Sequence, residues 1–333
     1  MKHRFFLSFR DAHGATAFEA ELTDFGALYH DLAFRAVCAG TRANDGDWGE
    51  ARVEPVWNEA KLVGLRVRLD DVTQIYSRAV FADQATELLV AHYARDSATR
   101  EDEADEPKWA GRIDVRHECK VEPEKPRRAF VRRLPYPLVE RAQCPSAIRL
   151  PEPAGRRQSL AVASKLLADL AEASANSLEE ERADFLTGYV VKDGAGAAAV
   201  IVLDRIPAEA ATTKSIVHFG FSPQTFAAAQ RVLDERGSGQ SIVGWCHNHP
   251  PPCGRKCLMT VPACATANVF FSVADRTVHR RGFGNPYMVA LVAGKGAHRR
   301  ADDPVFRAFG WRNGMIRERS FTTFEGHDGE PRS

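Results

Sequence analysis

Two histidines stand two positions apart in the segment Gly244-Trp245-Cys246-His247-Asn248-His249-Pro250. The residues before them predict a β-strand, and in extended backbone the side chains of residues i and i+2 point to the same face. The imidazoles of His247 and His249 can therefore converge on one ion, as zinc requires of its nitrogen ligands. Histidines also serve as ordinary polar groups, so the pair alone does not establish a metal site.

A serine and an aspartate stand three positions apart in a second segment, Phe270-Phe271-Ser272-Val273-Ala274-Asp275, at a predicted helix start. Positions i and i+3 share one helical face. A serine N-cap followed by an acidic residue in the first turn would explain this pair without any metal. Together with the two histidines, however, Asp275 completes a set of three protein ligands. Such a set leaves the fourth tetrahedral position open, which is typical of catalytic zinc.

These two segments together resemble the signature of the JAMM (MPN-domain) zinc metalloprotease family. The family pattern also contains an upstream glutamate that opens a strand ending in glycine, and the segment from Glu181 to Gly188 (ERADFLTG) matches it. Glu180 is the alternative to Glu181 because the match could be shifted by a residue. The run of three glutamates that ends at Glu181 also fits a solvated helix end.

The resemblance implies a function for each of these residues. The implied ligands of a catalytic Zn²⁺ are His247, His249 and Asp275. Glu181 is the implied catalytic base and Ser272 the implied donor to the oxyanion. Zinc at such a site polarises the scissile carbonyl and lowers the pKa of water, while the glutamate accepts the proton and passes it to the leaving amine.

The resemblance further implies an isopeptidase or peptidase that cleaves after the C-terminus of a ubiquitin-like modifier, in deconjugation or in precursor maturation. The implied partners are a ubiquitin-like protein or its conjugates, together with activating and conjugating enzymes of the same pathway. The implied fold is a cytidine-deaminase-like α/β sandwich over residues 159–321. The remaining half of the chain lies outside the resemblance.

The chain departs from the family pattern between His249 and Ser272, where its segment is longer. This insertion contains three thiols with C-x3-C-x6-C spacing, at Cys253, Cys257 and Cys264. They could hold a second, structural zinc with a fourth ligand such as Cys246 or a histidine, and free buried thiols are the alternative. Cys246 is disfavoured as that ligand because a strand neighbour of His247 points away from it.

Two other classes of function compete with the protease interpretation. The sequence HNHP, with Asn248 between the histidines, also occurs in the RadC-like branch of the superfamily, which is associated with DNA. A local basic set would suit that role: Arg276, Arg280, Arg281, Arg299 and Arg300. A formal net charge of only +1 argues against nucleic acid as the partner. A non-catalytic MPN scaffold is disfavoured because all five polar positions of the pattern are present.

The elements that must position these residues can be predicted from hydrophobic periodicity. Leucines at helical spacing predict a helix over Ser159 to Ala175, and Ser222 before Pro223 predicts the N-terminus of another over Pro223 to Glu235. Apolar runs predict strands at 185–191, 197–203, 215–220, 241–246 and 287–293. The order of helices and strands predicts an α/β sandwich.

The N-terminal half predicts a small α+β domain. Strand patterns cover 61–70 and 75–81, and helical spacing covers 84–94. A length of 333 residues favours two domains. We therefore predict an α+β domain of unknown role at 1–122, a Pro/Arg-rich linker at 123–158, the metalloprotease domain at 159–321 and a polar tail at 322–333.

The composition predicts a soluble protein. Hydrophobic residues make up 44% and charged residues 27% of the chain, as in ordinary globular proteins. The seven cysteines are odd in number and unevenly spaced, which disfavours a secreted disulfide framework. The N-terminus lacks a signal-peptide pattern, and no apolar run approaches the ~20 residues that span a bilayer. We therefore expect a cytoplasmic, bacterial protein with no membrane partner.

Overall fold

The computed structural model describes residues 2–44, 48–97, 112–120, 135–141, 144, 159–177, 180–192, 198–208, 221–251, 267–297 and 303–325. The chain is mixed α/β and forms two compact units. The first comprises Met1–Ala36, Ala43–Pro135 and Arg312–Met315. The second comprises Val37–Arg42, Tyr136–Trp311 and Ile316–Ser333.

The first unit contains two three-stranded antiparallel sheets and two helices. Its elements are β1 (Lys2–Arg10), β2 (Thr16–Leu22), α1 (Gly26–Cys38), β3 (Ala51–Asn58), β4 (Lys61–Leu69), β5 (Val72–Ser77), α2 (Ala79–Ser97) and β6 (Arg112–Lys120). The sheet orders are β2-β1-β6 and β3-β4-β5. Alternate residues of β1, namely Phe5, Leu7 and Phe9, are fully buried in one hydrophobic core.

The strand predicted at 61–70 is confirmed as β4, whereas the strand predicted at 75–81 is placed too late. β5 ends at Ser77, and the amide of Phe81 already bonds the carbonyl of Arg78 in a turn that leads into α2. Val80 and Phe81 are buried as helix residues rather than strand residues. The predicted helix at 84–94 lies within α2, which begins earlier.

The second unit is built on one nine-stranded sheet. Its strands are β7 (Leu138–Val139), β8 (Ser159–Ala163), β9 (Ala183–Lys192), β10 (Ala198–Pro207), β11 (Ser241–Asn248), β12 (Val289–Lys295), β13 (Pro304–Arg312), β14 (Met315–Arg319) and β15 (Thr322–Phe324). Its helices are α3 (Ser164–Ala175), α4 (Pro223–Arg236) and α5 (Val273–Gly282).

The sheet is mixed and runs in the order β14-β13-β12-β11-β9-β10-β8-β15, with β7 paired to β9. β11 lies parallel to β12 and antiparallel to β9. β10 lies antiparallel to β9 and parallel to β8. The central strands read as continuous apolar runs because both of their faces are covered. The sheet therefore brings the start of β9 beside the end of β11.

The helix predicted over Ser159 to Ala175 is wrong at its start. Residues Ser159–Ala163 form β8, paired in parallel with β10 and β15, and α3 begins only at Ser164. A short apolar run fits a buried strand as well as a helix. Leu160 lies at helical spacing from Leu166, Leu167 and Leu170, but it belongs to the strand. Of the leucines proposed to share one helical face, Leu166 and Leu170 are buried within α3.

The other predicted elements of this unit are found with small shifts in their bounds, with one exception. The strand predicted at 215–220 lies outside the described residues. The N-terminus predicted at Ser222 is confirmed: its side chain accepts a hydrogen bond from the amide of Thr225, with Pro223 in the first turn of α4.

The sheet extends beyond the predicted domain limits on both sides. Within the predicted linker, 135–141 and 144 are described, and Leu138 and Val139 form β7. Within the predicted tail, Thr322 to Phe324 form β15 beside β8. β-branched threonines and a phenylalanine suit such an added strand.

Two glycines, one in β11 and one in β9, allow neighbouring strands at the centre of the sheet to approach one another. A Cβ on Gly244 would lie 1.8 Å from the carbonyl oxygen of Val289 in β12. A Cβ on Gly188 of β9 would lie 1.9 Å from the carbonyl oxygen of Ile201 in β10. The register of the pairing shifts close to both glycines, so close backbone contact explains both.

No helix among the residues that the structure describes is long and apolar enough to cross a lipid bilayer.

Candidate metal centre

The two histidines of the HxH segment lie at the end of β11. His247 is within the strand, and the amide of His249 bonds the carbonyl of Ala293 at 2.8 Å, so extended pairing with β12 continues past the strand end. The two side chains consequently share a face, and their Nε2 atoms are 2.9 Å apart. This is the convergence that the sequence predicts.

Asp275 is held beside the histidines by the N-terminus of α5. Ser272 is the N-cap: its hydroxyl accepts from the amide of Asp275 at 3.1 Å, and the Ser272 amide donates to Asp275 Oδ2 at 2.7 Å. The reciprocal pair is a capping box. The N-cap explanation is confirmed, and the same cap fixes the carboxylate of Asp275 beside the two histidines.

The three predicted ligands are spaced as a tetrahedral ion requires. Asp275 Oδ1 is 3.2 Å from Nε2 of His247, and Asp275 Oδ2 is 3.5 Å from Nε2 of His249. Ligand atoms about 2.0 to 2.1 Å from a tetrahedral zinc lie about 3.3 Å from one another. The observed separations of 2.9 to 3.5 Å bracket that value. The two imidazoles and the carboxylate therefore lie at separations compatible with one shared ion, although the two histidines approach different oxygens of Asp275.

Glu181 joins this cluster, and Glu180 does not. Glu181 Oε1 lies 3.7 Å from Nε2 of His247 and 3.6 Å from Nε2 of His249, and the side chain is mostly buried. Among the described residues, Glu181, His247, His249 and Asp275 form the one group of acidic, histidine or cysteine side chains with metal-binding spacing. Glu180 is exposed. The structure thus brings the carboxylate of Glu181, and not that of Glu180, beside the two histidines.

Asn248 holds the segment that carries Glu181. Its Oδ1 accepts from the amide of Arg182 at 2.7 Å, and its Nδ2 donates to the carbonyls of Ser177 at 2.9 Å and Glu180 at 3.1 Å. The Asn248 amide also bonds the carbonyl of Arg182. As the residue between the two histidines, Asn248 faces the other side of the strand, toward backbone rather than toward the cluster.

Asn268 performs a similar function for His249. The Nδ1–H of His249 donates to the Asn268 carbonyl at 2.7 Å, so in the neutral ring the lone pair is on Nε2, which faces the cluster. The side chain of Asn268 donates to the carbonyls of His249 and Pro250 and accepts from the amide of Lys295. Histidines that bind metals commonly donate their second ring nitrogen in this way, because the bond fixes both tautomer and ring orientation.

Electrostatics couple the buried groups of the cluster. Burial acts to raise the pKa of Asp275, but His247 and His249 outweigh it and hold that pKa far below its usual value. Burial acts to lower the pKa of His249, but Asp275, the Asn268 carbonyl and the charge of Glu181 raise it. Positive charge is therefore favoured at the point where these side chains meet.

The donor set fits a divalent cation. Two carboxylates and two imidazoles converge in a largely buried site, and buried carboxylates require either a positive partner or a metal. Nitrogen and carboxylate oxygen ligands suit zinc, although the same set is compatible with other transition metals. The fixed tautomer of His249 adds a second observation that favours coordination.

The cysteines predicted for a second zinc cannot be placed, because Cys253, Cys257 and Cys264 lie outside the described residues. Cys246 is buried on the other side of β11, where it pairs across the ladder with Asp184. Burial raises the pKa of its thiol far above the ordinary value. A thiol held neutral and directed away from His247 does not serve the histidine cluster.

Two of the five arginines considered for DNA binding make contacts within the fold. Arg276 donates to the carbonyl of Ile316, and the guanidinium of Arg280 lies over the ring of Trp311. Arg281 is exposed, while Arg299 and Arg300 lie outside the described residues. The described part of this set is not an open phosphate-binding surface.

Asn248 and Asn268 hold the cluster in place, and neither is predicted to do so from the sequence. Asn248 could have been suspected, because an asparagine inside an apolar strand must satisfy its amide within the fold. Asn268 follows the insertion and carries no comparable signal, since its partners come from two separated segments.

Comparison with known proteins adds little to this geometry. No protein-family model matches the chain, and no curated protein matches it. Among solved structures, the chain is similar to the solution structure of protein DSY2949 from Desulfitobacterium hafniense, with 19% identity over 51% of this chain and 95% of that chain. The TM-score of 0.35 is too low for this likeness to bear on fold or function.

Proposed function

We propose that this protein is a zinc-dependent isopeptidase or peptidase of the JAMM type, and that the unit carrying the site is a cytidine-deaminase-like α/β sandwich. The observation that carries the proposal is the convergence of His247, His249, Asp275 and Glu181 from three separate segments. Segments far apart in sequence rarely bring four such groups together by accident. These three segments are the ones that resemble the family: the HxH pattern, the SxxD pattern and the segment from Glu181 to Gly188.

The proposed metal ligands are His247, His249 and Asp275. Zinc bound there would act as a Lewis acid on the scissile carbonyl and would lower the pKa of water. Glu181 then accepts the proton as water adds to the carbonyl carbon, and it delivers that proton to the leaving amine as the C–N bond breaks. The hydroxyl oxygen of Ser272 accepts a hydrogen bond from the Asp275 amide. The hydroxyl proton of Ser272 is then available to donate to the carbonyl oxygen of the substrate.

The substrate that we propose is the C-terminal linkage of a ubiquitin-like protein, either in a conjugate or in a precursor. This proposal extends to activating and conjugating enzymes as partners of the pathway. Its basis is the resemblance in the HxH and SxxD segments. We assign no role to the first unit.

The two alternative functions each lose support from particular contacts. A scaffold has no need for a histidine held in the metal-binding tautomer by Asn268. A DNA-associated role would need an open basic surface, whereas Arg276 and Arg280 are engaged by Ile316 and Trp311.

The decisive experiment compares wild type with Glu181→Gln on a fusion of a diglycine-ending β-grasp protein to a reporter, with zinc measured in both. The amide keeps the size of the side chain but cannot accept the proton. We expect turnover to fall by about 10²-fold or more while zinc content is retained.

Glu180→Gln is the matched control, because it makes the same chemical change at the exposed neighbour, and it should leave turnover unchanged. Zinc loss in Glu181→Gln would show instead that Glu181 is a ligand. A wild-type protein that binds no zinc would refute the proposed function.

A further inference from the structure

The two elements that carry the proposed ligands also carry the two partners of one buried hydrogen bond. Trp245 lies two residues before His247 on β11, so their side chains share a face. His279 lies four residues after Asp275 on α5, one turn along the same side. The indole Nε1–H of Trp245 donates to Nδ1 of His279 at 3.0 Å, and both side chains are 0% exposed.

The indole ring of Trp245 also sets the plane of a proposed ligand. It stacks on the imidazole of His247, with ring centroids 4.7 Å apart and an interplanar angle of 15°. Phe283 stacks on both Trp245 and His279, at interplanar angles of 22° and 17°. A shift of the indole would therefore move the His247 ring with it.

The hydrogen bond fixes the protonation of His279. An indole nitrogen can only donate, so Nδ1 of His279 must be unprotonated. Burial, followed by the charges of Arg280, Arg319 and Arg276, lowers the pKa of His279 to about 3, and the ring is neutral with its proton on Nε2. That Nε2 has no hydrogen-bond partner among the described residues. Burying such a donor costs stability, and within the described part of the chain the one polar contact that the ring makes is the hydrogen bond at Nδ1.

We propose that Trp245 and His279 are positioning residues that lock α5 onto β11 and thereby set Asp275 against His247 before any metal binds. We call the hydrogen-bonded pair Trp245 and His279 the lock. His247 is two residues from Trp245 in β11, and Asp275 is one helical turn from His279 in α5. The lock therefore helps to set the 3.2 Å distance between Asp275 Oδ1 and His247 Nε2. The inference rests on the proposed metal centre. Its effect is on affinity for the ion, since neither residue touches the cluster through a donor atom.

The test uses Trp245→Phe, His279→Leu and the double variant. Each single change leaves one buried polar partner alone, so both the Tm of the metal-free protein and the zinc affinity should fall, the latter by about 10- to 100-fold. The double variant replaces both partners by apolar groups and should regain much of the lost Tm. Its zinc affinity should nevertheless stay low, because nothing then sets the helix against the strand.

Zinc affinity is measured by competition with a chelator, and site geometry by the visible absorption of the Co²⁺-loaded protein. Tyr189→Phe is the matched control: it removes another buried side-chain donor of the same unit, which bonds the carbonyl of Ser238, and should lower the Tm with zinc affinity unchanged. A double variant that binds zinc as tightly as wild type overturns the lock and leaves the proposed function standing. A wild type that binds no zinc overturns both. If a single variant fails to fold, the double variant decides.

Discussion

At the scale of single residues, Asn248 connects the two halves of the site. It belongs to the segment that supplies both histidines, yet its amide group bonds the backbone of Ser177, Glu180 and Arg182 and so places Glu181. One side chain thus joins the segment that carries both histidines to the segment that carries Glu181. This arrangement explains why a polar residue occupies a buried strand position between two proposed ligands.

We predict that Asn248→Ala lowers kcat by about 10²-fold, because a displacement of roughly 1 Å is sufficient for such a loss. Zinc content should be retained, since the histidines keep their own supports. Hydrogen exchange of the Arg182 amide should accelerate in the metal-free protein, because its acceptor is gone.

The control for this prediction is Asn285→Ala, which removes a half-buried amide that bonds Tyr287 instead. It should change neither kcat nor the exchange of Arg182. Unchanged turnover in Asn248→Ala, with Arg182 exchanging faster, would show that Glu181 does not depend on this support.

The sequence predicts which residues meet but not how each is held. The i, i+2 and i, i+3 spacings place His247 with His249 and Ser272 with Asp275, and the structure brings both pairs together. Adjacent glutamates carry no signal that separates Glu180 from Glu181. That choice depends on Asn248, whose partners are distant in sequence. The roles of these residues in catalysis remain predictions.

At the scale of elements, the site depends on three backbone segments approaching closely. β11 lies between β9 and β12, and it can do so because Gly244 has no side chain where the carbonyl of Val289 passes. The sequence predicts these strands well, because their apolar runs are long. It fails at Ser159–Ala163, where five residues are too few to distinguish strand from helix and parallel pairing with β10 decides.

We predict that Gly244→Ala destabilises the protein by about 3 kcal/mol or more, at the upper end of the cost of overpacking, because the new methyl group would meet backbone that cannot move freely. Urea unfolding of the metal-free protein measures this loss. Gly282→Ala is the control, since its Cβ would meet only Phe226 at an ordinary 3.6 Å. Equal stability of the two variants would contradict the close-approach argument.

At the scale of the whole molecule, the stability of the fold should depend on pH through His279. Its pKa is lowered to about 3 in the folded protein, mainly by burial and further by Arg280, Arg319 and Arg276, whereas an unfolded histidine titrates near 6.5. Between these values the unfolded chain binds a proton that the folded chain does not. The free energy of unfolding therefore falls as the pH decreases, by up to about 1.4 kcal/mol per pH unit.

We predict that His279→Gln, which cannot titrate, has a shallower loss of stability between pH 6.5 and about 4 than wild type. Urea unfolding at a series of pH values, with a chelator present, measures both slopes. His13→Gln removes an exposed histidine and should keep the slope of wild type. A wild-type slope equal to that of His279→Gln would mean that the buried ring accepts a proton without unfolding.

The hydrogen bonds of Asn268 hold the chain on both sides of segment 252–266, so the length and sequence of that segment can change without moving His249. Segment 252–266 is bracketed by Pro251 and Ala267, and one asparagine ties the carbonyls of His249 and Pro250 to the returning chain. The entropic cost of joining two fixed ends by a longer chain segment is small, about 0.6 kcal/mol for each doubling of its length. We therefore expect that replacing segment 252–266 by another sequence leaves the imidazole of His249 in place. Under the proposed function, residues inserted here could change substrate selectivity while Glu181, His247, His249 and Asp275 stay the same.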